Sequence, residues 1–282
     1  MTTQTEVRPA RADDKDAVLD FCQNTFSWGD YIADVWDTWS TDLRGQLLVG
    51  QLDQKPVGVL HLAFLESGAA WMEGIRVHPD FRRRGVGSAM DSAALIRARE
   101  RGAVTARLVT SAKNKAAQEM LETEGYACIA HFIEWEAKPA RRQFSAARVA
   151  TSSDATQLLE LWDDSVGRVA HGLVPDQQWH WDTLTRTRLL SQIDAGHVRI
   201  VEGGFAFLLA NDEQDASGMS LQSLAGDAKS MLSLARAARS EAYYRGYPRI
   251  EAILIDHPQV NPALERAGFV RQGGMLIYEQ AL

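Results

Sequence analysis

Hydrophobic and polar residues along the first half of the chain follow two different periods. Some segments carry the β-branched and aromatic runs typical of strands, whereas others have apolar residues three and four positions apart, as in amphipathic helices. The predicted elements are strands at 46–52, 56–65 and 71–77, a helix at 88–101, a strand at 104–109, a helix at 114–124 and a strand at 127–136. Lys55-Pro56 marks the first predicted turn. This alternation predicts an α/β or α+β fold with a mixed central sheet flanked by helices.

The second half of the chain resembles the first. The segment RPARADD at 8–14 matches RVATSSD at 148–154, and each precedes an amphipathic helical pattern. Leu-Glu and Gly-aromatic pairs at 121–126 recur at 264–269, so the offset between the copies changes only from 140 to 143 residues. So small a drift indicates a duplicated domain. The two predicted domains span 1–139 and 146–282, on either side of a polar stretch.

The chain is acidic, and its acidity is local. It has 30 Lys and Arg against 37 Asp and Glu, a net charge of −7 that disfavours binding to a nucleic-acid backbone. The segment 13–42 holds eight acids and one base, which alone amount to −7. We therefore expect no nucleic-acid partner and a cationic molecule near this segment.

Neither a membrane span nor a metal site is predicted. No apolar run approaches the roughly 20 residues that a spanning helix needs, and the first residues lack the pattern of a signal peptide, so we expect a cytoplasmic protein. Cys22 and Cys128 are far apart and lack metal-ligand spacing. We expect both to be buried small side chains. The sequence leaves a homodimer open.

The segment VHPDFRRRGVGS at 77–88, between a predicted strand and a helix, has the composition of an anion site. Two glycines allow close approach of the backbone, the helix N-terminus attracts negative charge, and three arginines can pair with phosphate oxygens. A Walker A loop is excluded because its lysine is missing, and Met90 stands where a dinucleotide-binding fingerprint needs glycine. A solvated basic turn is the alternative interpretation.

The motif RxxGxG at 82–87, followed by Asn114 and by Gly125-Tyr126, resembles the GNAT superfamily of acyl-CoA-dependent N-acetyltransferases over residues 6–136. The resemblance implies acetyl-CoA as co-substrate, its pyrophosphate held by the loop and its pantetheine arm paired with the preceding strand. The Val77 amide would face the thioester oxygen. The implied cofactor-binding residues are Ile75, Arg76, Val77, Arg82, Arg83, Arg84, Gly85, Val86, Gly87, Ser88 and Asn114.

Acetyl transfer to an amine requires a base, because the amine must lose a proton before it attacks. The resemblance implies Glu73, and a period of two puts Trp71, Glu73, Ile75 and Val77 on one face of the strand. An exposed or salt-bridged strand glutamate is the alternative interpretation. The tyrosine that protonates the leaving thiolate in this family is replaced by Leu121. Tyr126 is our candidate for that role, with Ser111 as the alternative.

The resemblance places the acceptor amine against the acidic segment 13–42. Acids interleaved with aromatic residues suit an ammonium group, so the predicted substrate-binding residues are Trp28, Asp30 and Tyr31. Solvated acids on one helix face and core tryptophans on the other are the alternative, and the three-residue spacing of Trp36 and Trp39 favours a core position for both.

The second half lacks the phosphate loop. Residues 227–245 contain no glycine and only scattered basic residues, so a pyrophosphate has no backbone cradle there. We interpret 146–282 as a degenerate GNAT-like domain. The predicted function is acetyl transfer from acetyl-CoA to a primary amine of a small molecule or amino acid. A non-catalytic acyl-CoA-binding or sensing module is the main alternative, and a different phosphate-binding enzyme is a third hypothesis.

Overall fold

The computed structural model describes residues 4–23, 25, 29–141, 147–176, 178–211 and 218–282. They form two compact units. The first comprises Met1–Leu108, Leu121–Ala127 and Glu279–Leu282, and the second comprises Val109–Met120 and Cys128–Tyr278. Each unit therefore includes segments that are distant in sequence. The division predicted from the repeat differs, because it consists of two continuous domains at 1–139 and 146–282.

The first half of the chain alternates strands and helices, as its hydrophobic pattern predicts. Its elements are β1 (Glu6–Pro9), α1 (Lys15–Cys22), α2 (Ile32–Ser40), β2 (Gln46–Leu52), β3 (Lys55–Phe64), β4 (Ala70–Val77), α3 (Val86–Glu100), β5 (Thr105–Ser111), α4 (Lys115–Thr123) and β6 (Ala127–Ala137).

The strands of the first unit are β1, β2, β3 and β4 in antiparallel order, with β5 parallel to β4. The turn between β2 and β3 lies at Asp53 and Gln54, whose φ angles are +48° and +66°. Two positive φ angles are typical of a tight hairpin turn. The predicted turn at Lys55-Pro56 is therefore wrong, because both residues pair with β2 as part of β3.

Helices cover both faces of the first sheet. Val18, Ile32 and Trp36 of α1 and α2 are buried with Val49 and Val59 of the sheet. On the opposite face, α3 lies so close to the sheet that a Cβ on Gly58 would meet Met90. The prediction of Trp36 as a core residue is confirmed.

The second half repeats this order of elements and adds a third helix and two short paired strands after its first strand. It contains β7 (Arg148–Val149), α5 (Ala155–Asp163), α6 (Val166–Val169), β8 (Leu173–Pro175), β9 (Trp181–Thr183), α7 (Arg186–Asp194), β10 (Val198–Val201), β11 (Gly204–Asn211), β12 (Gly218–Gly226), α8 (Ala228–Tyr244), β13 (Ile250–Ile255), α9 (Val260–Ala267) and β14 (Val270–Ala281). In the second unit the strands lie in the order β14, β6, β13, β12, β11, β10, β7, and β12 and β13 are parallel. The predicted mixed α/β fold is confirmed.

The sequence repeat corresponds to a repeated ion pair. Arg8 binds both carboxylate oxygens of Asp14 at 2.6 and 2.7 Å, and Arg148 binds those of Asp154 at 2.9 and 2.7 Å. In each copy the same carboxylate also accepts a hydrogen bond from the backbone amide three residues earlier. The two copies therefore begin with the same local structure, which supports duplication.

None of the helices in the described part of the chain is long and apolar enough to cross a membrane. In the same residues, no cluster of three or more His, Cys, Asp or Glu side chains is arranged to hold a metal ion.

Candidate active site

A β-bulge interrupts β4 at the centre of the first unit. Two residues separate Glu73 from Arg76 on β4, but only one separates their partners His61 and Val59 on β3. Gly74, inside the bulge, has a φ of +65°. Because the extra residue reverses the alternation of side chains, Glu73 and Arg76 point to the same face of the sheet.

The bulge overturns the predicted face of β4. A strict period of two puts Glu73, Ile75 and Val77 on one side. Val77 instead pairs with Gly58, and the face of Gly58 is the one that α3 covers. The prediction that these side chains share one face is therefore wrong beyond Glu73, because a period of two holds only in a strand without a bulge.

Glu73 is held by a histidine that the sequence did not single out. The Nδ1 atom of His61 lies 2.9 Å from Glu73 Oε1, and its Nε2 atom lies 3.4 Å from Asp42 Oδ2. The imidazole is buried and stacks on the Trp39 ring, with centroids 4.6 Å apart and planes 9° from parallel. Trp39 in turn covers Gly74, where a Cβ would overlap its ring. We refer to Asp42, His61 and Glu73 as the relay cluster.

Two of the predicted site residues form a buried ion pair with each other. Arg76 donates from Nε to Asp30 Oδ2 at 2.7 Å and from a terminal nitrogen to Oδ1 at 3.1 Å, and its guanidinium lies 5.1 Å from the centroid of the Tyr31 ring. The Asp30 side chain is only 2% exposed. Because Arg76 already neutralises Asp30, this ion pair does not favour binding of an acceptor ammonium group by Asp30, and that contact stays a prediction.

Tyr31 lies beside the same charges. Burial raises the pKa of its hydroxyl, the carboxylates of Glu73 and Asp30 raise it further, and Arg76 opposes them. Tyr31 is thus close enough to Glu73 to interact with it, and it stays a predicted substrate contact. Trp28, the third predicted contact, lies outside the described residues.

The two cysteines differ in their surroundings. Cys22 is buried, as predicted, and burial with the nearby Asp30 raises the pKa of its thiol to about 12. It is therefore protonated and inert at neutral pH. Cys128 is exposed, so its predicted burial is wrong. Cys128 lies at the start of β6, where its neighbour Ala127 is exposed as well, so the alternation of the strand does not set its burial.

The loop after β4 presents an open helix N-terminus. His78 caps a short 3-10 turn at Pro79–Phe81, and Arg82 Nε donates to Val77 O at 3.2 Å. Gly85 precedes α3 with a φ of +79° and has no side chain to cap it. The first amides of a helix have no acceptor within the helix and carry partial positive charge. This end of α3 is therefore suited to an anion.

The predicted loop residues divide between the turn and the helix. Arg82, Arg83 and Arg84 are exposed, and the Arg84 guanidinium lies over the Phe81 ring, 5.2 Å from its centroid. Val86, Gly87 and Ser88 form the first turn of α3, two residues earlier than predicted. A glycine inside the first turn hides the helix start in the sequence, because glycine is a poor helix former.

The other predicted residues lie elsewhere. Asn114 Oδ1 accepts a hydrogen bond from the Ala117 amide at 3.2 Å, which confirms it as the cap of α4 and leaves its contact with a cofactor a prediction. Leu121 is buried, and the Tyr126 hydroxyl donates to Asp91 Oδ1 at 2.9 Å in the core. Burial raises the pKa of the Tyr126 hydroxyl, and the neighbouring Asp91 carboxylate raises it further. These contacts argue against Tyr126 as the general acid, so we do not retain it in that role.

The corresponding end of α8 in the second unit is closed. β12 ends at Gly226, Asp227 follows, and α8 begins at Ala228, so no loop separates strand from helix. Asp227 Oδ1 accepts a hydrogen bond from the Ser230 amide at 2.7 Å, and the pKa of Asp227 is lowered chiefly by this bond. The protein's own carboxylate thus occupies this helix N-terminus, which agrees with the predicted lack of a phosphate cradle.

Known proteins resemble the chain in sequence over one segment and in structure over its whole length. Residues 16–126 match the model of the Acetyltransferase (GNAT) family. A GCN5-related N-acetyltransferase from Sphaerobacter thermophilus has a TM-score of 0.65 at 16% identity, with 98% of this chain and 95% of that chain covered. No curated protein is detectably similar in sequence.

Two further structures extend this result. A tandem GNAT protein from the clavulanic acid biosynthesis pathway has a TM-score of 0.58 at 16% identity, covering 99% of this chain and 98% of that chain. A GCN5-related N-acetyltransferase from Kribbella flavida has a TM-score of 0.54 at 18% identity, covering 100% of this chain and 72% of that chain. At such identities the similarity shows the fold. Residues 16–126 are therefore similar in sequence to the GNAT acetyltransferase family, and the chain as a whole has the fold of tandem GNAT proteins.

Proposed function

We propose that the protein is an acetyl-CoA-dependent N-acetyltransferase that acts on a primary amine of a small molecule or amino acid. One observation carries the proposal. In the first unit, β4 bears the carboxylate of Glu73 and leads directly into a loop that ends at an uncapped helix. A proton acceptor and an anion site thus lie on one strand and the loop that follows it.

The loop suits the pyrophosphate of coenzyme A. Gly85 leaves the space beside its backbone open, since a Cβ there would meet no atom within 4 Å. Three exposed guanidinium groups at Arg82, Arg83 and Arg84 add positive charge in a chain whose net charge is −7. Backbone amides and arginine forks together are the donors that bind phosphate groups in proteins.

The chemistry assigned to this site is direct transfer. Acetyl-CoA supplies a thioester, and the amine nitrogen attacks its carbonyl carbon while the C–S bond breaks. Glu73 takes a proton from the amine, and the departing thiolate takes up a proton to become the free thiol. If the amine arrives as an ammonium ion, one proton leaves to solvent for each acetyl group transferred.

The acceptor side is bounded by aromatic and charged groups of α2 and the segment before it. Tyr31 and Trp39 contact each other edge to face, with ring centroids 6.0 Å apart. Since Asp30 is bound by Arg76, recognition of the acceptor rests on these rings and on Glu73. A small amine fits such a surface better than a polycation, which would need several unpaired acids.

A calorimetric titration with acetyl-CoA, followed by an assay of free thiol release with a panel of amines, tests this proposal. We expect binding in the micromolar range and release with at least one amine. Gly85→Trp should abolish binding by filling the loop. Gly102→Trp is the matched control, because Gly102 follows the other end of α3 with a φ of +85° and open space around it. Equal affinity in the two variants would rule out the loop as the binding site.

A non-catalytic acyl-CoA sensor is the second candidate. It is favoured by Leu121, which is buried where the family resemblance implies a tyrosine. Tight binding of acetyl-CoA without thiol release for any amine would support the sensor and contradict the transferase.

A further inference from the structure

The relay cluster leads from the site toward the surface. The Glu73 side chain at the inner end is 15% exposed, and the Asp42 side chain at the outer end is 27% exposed. His61, which lies between these two carboxylates, is 3% exposed. We propose that, in the proposed acetyl transfer on which this inference rests, His61 and Asp42 carry the proton that Glu73 takes from the amine out to solvent.

An imidazole is suited to this task because its two nitrogens are separate proton sites. Nδ1 can accept a proton from Glu73 while Nε2 releases one to Asp42. The proton that leaves the amine nitrogen appears in solution at Asp42, and His61 is left with its own proton on Nδ1. Between turnovers Nε2 regains a proton from water through Asp42, and Nδ1 gives one back to Glu73, which releases it to water on the acceptor side, so that one proton in total reaches solvent and each group returns to its initial state. His61 acts through Glu73 and is therefore a positioning residue that also conducts protons.

The ring is fixed in the orientation that this transfer requires. Trp39 stacks on it, and Nδ1 lies at hydrogen-bond distance from Glu73. Nε2 has no hydrogen bond in the described structure and faces Asp42 at 3.4 Å. Asp42 Oδ1 accepts a hydrogen bond from the Arg44 amide at 2.8 Å, which leaves Oδ2 facing the imidazole, and the partial exposure of Asp42 allows it to exchange a proton with water.

Gly45 makes the outer step sterically feasible. A Cβ at this position would overlap both Asp42 Oδ2 and His61 Nε2. The contact between the carboxylate and the imidazole therefore depends on the absence of a side chain at residue 45. Gly45→Ala is a way to separate these two groups without removing either.

Three further ionisable residues lie near the relay cluster, and one of them, Arg44, donates its backbone amide to Asp42 Oδ1 at 2.8 Å. On β4, the next residue on the same face is Arg76, which Asp30 binds. From the start of α2, Tyr31 interacts with the charge of Glu73. The carboxylates of Glu73 and Asp42 thus remain the groups that contact the imidazole directly.

The first measurement needs no substrate. We would record the imidazole ¹⁵N signals of the full-length protein, assign those of His61 by their loss in His61→Asn, and compare wild type with Glu73→Gln and Asp42→Asn. We expect Glu73→Gln to move mainly the Nδ1 signal and Asp42→Asn to move mainly the Nε2 signal. Asp37→Asn, at an exposed position of α2, is the control and should move neither. An Nε2 signal that ignores Asp42→Asn would overturn the relay.

The second measurement uses turnover. Asparagine at residue 61 can still donate to Glu73 but cannot pass a proton, so we expect His61→Asn to lower kcat about tenfold or more without changing the KM for acetyl-CoA. Added imidazole should partly restore kcat in His61→Ala. A His61→Asn enzyme with wild-type kcat at all pH values would show that His61 only orients Glu73.

The two measurements separate the two proposals. If no amine yields free thiol with the wild-type protein, the acetyl transfer fails while the NMR result still decides whether imidazole and carboxylates are coupled. If turnover occurs and Asp42→Asn has wild-type kcat and an unchanged Nε2 signal, the relay fails and the transferase stands. Circular dichroism of Asp42→Asn, whose substitution lies near the surface, excludes unfolding as the cause of a lower rate.

Discussion

The two units contain the same strand, bulge and helix, but they differ at the N-terminus of the helix. In the first, α3 begins after Gly85 with no side chain at its N-terminus, and in the second, Asp227 caps α8. The glycine before α8, Gly226, has a φ of +124° and lies against the backbone of Gly203 and Gly204. A glycine before a helix can thus allow close packing of neighbouring strands or leave space for an anion. Only the surroundings of the glycine distinguish these two uses.

The bulges extend this comparison. The pair that precedes the bulge in the first unit is His61 and Glu73, whereas Leu208 and Leu221 precede the register shift between β11 and β12. Both leucines are buried. The second unit therefore keeps the backbone geometry with leucines in the places of His61 and Glu73. The bulge belongs to the architecture, and the proposed chemistry depends on the side chains beside it.

The largest effect on activity should come from removing the carboxylate beside the first bulge, which the leucines beside the second bulge lack. Glu73→Gln removes the proton acceptor but keeps the shape of the side chain, so we expect kcat to fall about 100-fold or more with an unchanged Kd for acetyl-CoA. The measurement is steady-state kinetics with calorimetry of acetyl-CoA binding. Glu66→Gln, an exposed carboxylate in the turn before β4, should leave both constants unchanged. A Glu73→Gln enzyme as fast as wild type at every pH would remove Glu73 from the mechanism.

A second difference between the helices should appear in stability. α3 buries the carboxylate of Asp91, whereas the buried polar side chains of α8 are serines. Burial raises the pKa of Asp91 to about 6, although the hydrogen bond from Tyr126 opposes this. The folded state thus favours the protonated form, and this group makes the protein more stable as the pH falls from about 6 toward 4.

Asp91→Asn removes the buried charge and keeps an acceptor for Tyr126. We expect the free energy of unfolding at pH 8 to rise by about 2 kcal/mol, with a smaller gain below pH 4. Urea denaturation at both pH values measures this difference, with the exposed Asp20→Asn as a control. A variant less stable than wild type at pH 8 would show that the carboxylate contributes more through its hydrogen bond than it costs through burial.

The smallest effect should be on the affinity for acetyl-CoA, when a single negative charge is added at the N-terminus of α3. Gly85→Asp and Gly85→Asn have similar size and the same backbone demand, but only the aspartate gives α3 the carboxylate that Asp227 gives α8. We expect acetyl-CoA to bind about fivefold more weakly to Gly85→Asp than to Gly85→Asn. Asp227→Asn should leave the affinity unchanged. Equal affinities of the two Gly85 variants would mean that the helix N-terminus does not face the phosphate groups.

Local features were predictable from the sequence, and contacts between distant residues were not. The strand at 46–52 was predicted with its observed bounds, and the loop before α3 was recognised because its glycines and arginines are adjacent. His61 escaped notice because it lies in an otherwise apolar strand. Its meaning depends on the register that puts it opposite Glu73, and one inserted residue in β4 sets which side chains share a face.

The pairing of Arg76 with Asp30 was hidden for the same reason. The two residues are 46 positions apart, and each was assigned a separate ligand from its local context. The local excess of acids was real, and its net charge already counts Lys15, yet Arg8 and Arg76 from outside the segment neutralise two more of the acids. Net charge along a segment therefore overestimated the negative charge available to an acceptor.

The interleaved first unit has a consequence for how the protein folds during synthesis. Arg107 forms an ion pair with Glu279, 172 residues later, and the Leu282 amide donates to Val104 O. At a translation rate of about 5 to 20 residues per second, on the order of ten seconds or more pass before these contacts can form. During that interval β5 emerges with an unpaired edge, the kind of surface that chaperones cover and that aggregates when exposed.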